Sequence, residues 1–210
     1  CPMKARIVTM MRLAGMLMVL GATLVAADAL EIQDLFEDTR IPSIEVTTDG
    51  TILAFANNGK TLRRSEDFGK TWSMPAEVGN DAGGKAIVDQ STGDVLLVNT
   101  DKGWLHRSKD HGKTWAKEAM VIQPNAYGHG TPDGIPVNVT CSETGITLQY
   151  GEHAGRLLMP ARIMPPKGSN DQEWWPYHYN TSLYSDDGGH TWQVSAPVQS
   201  GTGEGTLAEM

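Results

Sequence analysis

The segment SKDHGKTW, at Ser108 to Trp115, has two near-copies in the same chain: SEDFGKTW at Ser65 to Trp72 and SDDGGHTW at Ser185 to Trp192. Each copy spells SxDxGxTW, and the letters carry one chemistry. Ser and Asp side chains bond backbone groups within a tight turn, Gly supplies a positive-φ position, and Trp packs beneath. The turn residues are Ser65, Asp67, Gly69 and Trp72; Ser108, Asp110, Gly112 and Trp115; and Ser185, Asp187, Gly189 and Trp192. A calcium loop is the weaker reading, because each copy offers only one or two carboxylates where an oxygen cage needs more.

The runs around these boxes set the fold class. SIEVTT, TILAFA and TLRRS precede the first box; KAIVDQ, DVLLVNT and WLHRS precede the second; TGITLQY, RLLMPARI and YNTSLYS precede the third. They are short, alternating or β-branched, and are separated by turn residues such as DG, NNG and TGD. A fourth run follows each box: TWSMPAEV, TWAKEAMVI and TWQVSAPVQ. Four strands per unit, with the box between the third and fourth, predicts an all-β propeller.

The first 29 residues stand apart from that pattern. Lys4, Arg6 and Arg12 precede or open the apolar run LAGMLMVLGATLVA, which gives way to small residues in VAADA. That order predicts a secretory signal peptide over residues 1–29, a propeller domain over 30–210 and a secreted or periplasmic protein. Removal of the leader takes away three cations and Asp28, and the formal net charge moves from −8 to −10. Such a domain repels nucleic acid and anionic membrane, and no stable membrane insertion is expected after cleavage. Cys141 is then the lone thiol, read as a small buried hydrophobe. No histidine spacing suggests a metal site, and no cofactor is expected.

The repeated box resembles the Asp-box of the sialidase (neuraminidase) superfamily, and TRIPSI at Thr39 to Ile44 resembles the RIP motif ahead of that family's first blade. The closing GTGEGTLAEM also falls in the order of a bacterial secreted sialidase. The resemblance implies a six-bladed β-propeller, of which about three blades and the first strand of a fourth stand in this chain. It also implies an exo-α-sialidase-like glycosidase acting on a sialylated or other acidic glycan. The alternative is a non-catalytic carbohydrate-binding propeller.

Site residues follow from that resemblance. Arg40 matches the family's first arginine, suited to clamp a sugar carboxylate. Glu204, rather than Glu209, matches the glutamate that activates a tyrosine nucleophile. The remaining arginines and the tyrosine are expected beyond Met210, so these residues alone should not turn over substrate. One departure stands out: the turn that carries the family's acid reads ANNGK here, without a carboxylate, and Asp49, Glu66 and Asp67 are poor replacements. Arg162, on a strand, is a further candidate for the pocket. In NDQEWWPYHYN, Tyr177, His178 and Tyr179 either form a sugar-stacking wall or cap the core.

Overall fold

The computed structural model describes residues 32–37, 39–124, 138–164, 179–199 and 201–210. The leader expected at residues 1–29 lies outside them, as do Tyr177 and His178. Leu35–Met210 forms one compact unit, and all regular structure among its described residues is strand. The all-β, propeller-like class holds.

Two sheets follow the predicted plan. The first runs β1 (Ser43–Val46), β2 (Ile52–Ala56), β3 (Thr61–Ser65), β4 (Ala76–Glu77), in that spatial order. The second repeats it with β5 (Lys85–Val88), β6 (Val95–Asn99), β7 (Trp104–Ser108) and β8 (Ala116–Ala119). Neighbours are antiparallel, and each box forms the turn between third and fourth strands.

The third sheet departs from the expectation that TGITLQY supplies its first strand. That role is shared by β10 (Asn138–Cys141) and the two-residue β11 (Ile146–Thr147), which pair with opposite halves of β12 (Leu157–Met164). Pro160 explains the break. Its carbonyl faces this edge and accepts from the Ser142 N–H at 3.0 Å, but its own nitrogen has no hydrogen to continue the ladder. Beyond β12 come β13 (Asn180–Ser185) and β14 (Thr191–Val194), and then β9 (Val121–Ile122), which leaves the second sheet to pair parallel with β14. The final GTLAEM, expected to open another sheet, has no strand pairing among the described residues.

The second sheet is buried on both faces, which is why VLLVN shows no polar alternation. Its side chains still divide with the period of two. Ala86, Val88, Val95 and Leu97 pack with Leu53, Phe55 and Leu62 of the first sheet. Ile87, Leu96, Val98 and Leu105 pack with Leu157, Met159, Leu183 and Trp192 of the third.

The boxes fasten one sheet to the next as well as closing their own turns. Ser65 donates to Asp67 at 2.9 Å and accepts from the Gly69 N–H at 2.8 Å, while Asp67 accepts from the Thr71 N–H and hydroxyl at 2.9 and 2.6 Å. The second and third boxes repeat the Ser–Asp, Gly–Ser and Thr–Asp bonds. The arginine ahead of each of the first two boxes then reaches the following sheet. Arg64 Nε donates to the His111 carbonyl at 2.9 Å, and Arg107 Nη2 to the Gly188 carbonyl at 2.8 Å. His111 and Gly188 hold the same place in their boxes.

Candidate active site

Chain segments distant in sequence meet in a cleft of about 460 Å³ at one end of the sheets. Arg40, Ile41 and Pro42 enter it ahead of β1. Asn58 comes from the β2–β3 turn, Lys85 opens β5, Thr140 to Glu143 close β10, Arg162 projects from β12, and Glu204 arrives on the C-terminal segment.

The RIP entry is a tense piece of backbone. Ile41 sits at φ 55°, a region that a β-branched residue before proline rarely occupies. Glu204 is fixed through its main chain: its carbonyl accepts from Asn180 Nδ2 at 3.0 Å, and the preceding Gly203 carbonyl accepts from Arg162 Nη1 at 3.2 Å. The same Nη1 lies 3.6 Å from the Glu204 carboxylate, which is mostly solvent-facing. Arg162 Nε, buried, has no hydrogen-bond partner. Glu209 is occupied elsewhere, accepting from the Gln149 and Tyr150 N–H groups at 2.7 and 3.0 Å. Of the two glutamates, the cleft therefore holds Glu204.

Arg40, Arg162 and Glu204 thus share one cleft, but Tyr179 does not face sugar. It is 2% exposed and lies in the core between the second and third sheets. This corrects its expected place in a stacking wall, since a ring so enclosed has no free face to offer; of the two readings of that loop, Tyr179 takes the core one. Cys141 lines the cleft but is buried, and burial pushes its thiol up to about 12, which leaves it a poor nucleophile.

The ANNGK turn keeps its lack of a carboxyl, and its neighbours do not supply a proton donor. Asp49 is drawn down to about 2, chiefly by the Thr47 hydroxyl and the Thr51 N–H. Asp67 is drawn down to about 2 by Thr71, and Glu66 is lowered by Arg64. A group held that far below neutrality carries no proton to give. Sequence reasoning missed Glu45 on β1, which burial raises to about 7 against the opposing bond from Thr144. Glu45 is outside the cleft lining. It missed Lys85 too, although a lysine opening the apolar run KAIV was the available signal.

Comparison with known proteins matches the boxes directly. A BNR-Asp box repeat model covers residues 62–74, and a BNR/Asp-box repeat model covers 183–194. The chain is 28% identical to a sialidase of Micromonospora viridifaciens, over 83% of this chain and 31% of that protein. It is 26% identical to a sialidase of Clostridium perfringens, over 81% of this chain and 52% of that one. The two repeat matches and these sialidase relatives support placing the chain in the sialidase/BNR-repeat superfamily. The chain spans about a third to a half of the length of these curated relatives. The intramolecular trans-sialidase of Ruminococcus gnavus is a similar solved structure, with a TM-score of 0.42 at 13% identity over 76% of this chain and 70% of that one. Within the superfamily's box pattern, the copy at Ser108 makes the same internal bonds as the other two.

Proposed function

We propose that the full-length protein is an exo-acting glycosidase that releases terminal sialic acid or a related acidic sugar from glycoconjugates. The observation that carries this reading is the convergence of Arg40, Arg162 and Glu204 in one cleft, from positions far apart in the chain. A carboxylate at the reacting carbon of the sugar calls for a permanently charged, bidentate partner, which Arg40 provides. It also repels a carboxylate nucleophile, and Glu204 then serves as the base that activates a tyrosine. Export belongs to the same proposal, supported by the order of basic, apolar and small residues over 1–29.

Hydrolysis of a fluorogenic sialoside by the full-length protein tests the reading, with Arg40→Ala and Glu204→Gln beside it. Arg40→Ala should lower kcat/KM roughly a hundredfold or more, since it removes charge-assisted bonds to the substrate. Binding of sialic acid without any turnover by the folded protein would favour the carbohydrate-binding alternative, for which the carboxyl-free ANNGK turn is the motivating observation. Neither binding nor turnover would sink both.

A further inference from the structure

Lys85 is the third cation of the cleft, beside Arg40 and Arg162. It is only 7% exposed, yet among the described residues it makes neither a hydrogen bond nor an ion pair. The charged groups around it are Glu143, Arg162 and Glu204, with the Cys141 thiol close by and Arg40 and Asp101 on the same cleft wall. None of them closes on the ammonium. Glu204 leans toward Arg162 at 3.6 Å, Asp101 accepts from the Thr140 hydroxyl at 3.1 Å, and the Cys141 thiol is neutral.

Its backbone has no room to withdraw. The Gly84 N–H donates to the Asn58 carbonyl at 2.8 Å, which locks the start of β5 to the ANNGK turn. A side chain at Gly84 would place its Cβ 2.0 Å from the Val98 carbonyl oxygen. A lysine this enclosed, with no protein anion paired to its ammonium, is partly desolvated at a cost, and an anion bound in the cleft would offset it.

We propose that Lys85 is a ligand-binding residue of the cleft, its unpaired ammonium held on the cleft wall for the anionic group of an acidic sugar that Arg40 also contacts. This deepens the acidic-sugar reading and rests on it. Burial lowers the proton affinity of Lys85, with Glu143 pulling the other way, and a bound anion raises that affinity again. Ligand binding therefore weakens as pH rises through the lysine's titration. Ordinary carboxylates and guanidiniums keep their charge between about pH 7 and 10, so that slope reports on the lysine.

Calorimetric titration of the full-length protein with N-acetylneuraminic acid, its methyl ester and glucuronic acid, from about pH 7 to 10, reads this out. Lys85→Met should weaken binding of the free acids about ten- to a hundredfold and leave the uncharged ester unaffected. Wild-type affinity for the acids should fall with pH, and Lys85→Arg, which does not titrate, should abolish that fall. Equal loss of acid and ester in Lys85→Met, a flat wild-type profile, or a fall that persists in Lys85→Arg overturns the proposal. Should Lys85→Met not fold, the Lys85→Arg profile decides alone. Glucuronic acid binding with this pattern while N-acetylneuraminic acid does not bind would sink the sialidase reading and leave Lys85 in its role. If neither acid binds the folded wild type, both fall.

Discussion

A methyl group at Gly189 would stand 2.5 Å from Leu96 Cδ2, on a backbone with φ 92°. Leu96 is fully buried, so it cannot step aside freely. Gly189→Ala should therefore cost about 2–4 kcal/mol, combining a left-handed alanine with an overpacked core. Gly188, one place earlier, has open space where its Cβ would lie, and Phe68 and His111 hold the same place in their boxes at φ 60° and 56°. Gly188→Asn should stay within about 0.5 kcal/mol of wild type, and urea denaturation of the two variants separates packing from backbone strain. Glu45 gives a pH prediction of the opposite sign to most carboxyls. Its folded-state value, about 7 against an ordinary 4.5, means that the folded protein binds the extra proton in that interval. Stability should then fall as pH rises from 4.5 through 7, by on the order of 3 kcal/mol, and Glu45→Gln should flatten that fall in denaturation at pH 5 and 8. The box glycines were legible because their letters repeat. Glu45 and Lys85 were not, because a charged letter within a strand does not say which sheet will cover it.

Arg107 joins two elements that the sequence shows only as neighbours in a list. It is 6% exposed, bonds Asp94 and Glu118 at 3.0 Å each, and crosses to the Gly188 carbonyl of the third sheet. Arg107→Met should cost about 1–3 kcal/mol, because it removes the shared donor of two partly solvated carboxylates and a carbonyl. Arg107→Lys should recover only part of that loss, since an ammonium lacks the planar fork that meets three acceptors. Thermal unfolding of the pair would check this, and equal stability of Arg107→Lys and wild type would show that charge alone suffices. Strands themselves were readable from short apolar runs and turn letters in the first two sheets. The third was misread at its first strand because Pro160, on the partner strand, moves the break in pairing to a place that TGITLQY does not announce.

Across the whole unit, β1 is a free edge among the described residues, pairing only with β2. Ile44 and Val46 point outward from it at 60% and 54% exposure. A protein limited to residues 32–210 should associate with itself through such an edge, and Ile44→Lys with Val46→Lys should return it to a monomer in sedimentation velocity. A monomeric starting protein would remove the argument. At this scale the candidate site was legible only through motif order: nothing local to Arg40, Arg162 or Glu204 says that they meet, and nothing in YHYN says that the ring of Tyr179 packs in the core. The parallel strand β9 has a consequence for how such a chain can change. Its Val121 N–H and Gln123 N–H bond the His190 and Trp192 carbonyls, so the tail of one repeat is a rung of the next. Copying a single box-bearing stretch of gene would yield a unit missing a rung on one flank and carrying a spare on the other. At this junction the heritable repeat and the cooperative repeat are thus out of phase, and loss of the second unit must be accommodated by the third.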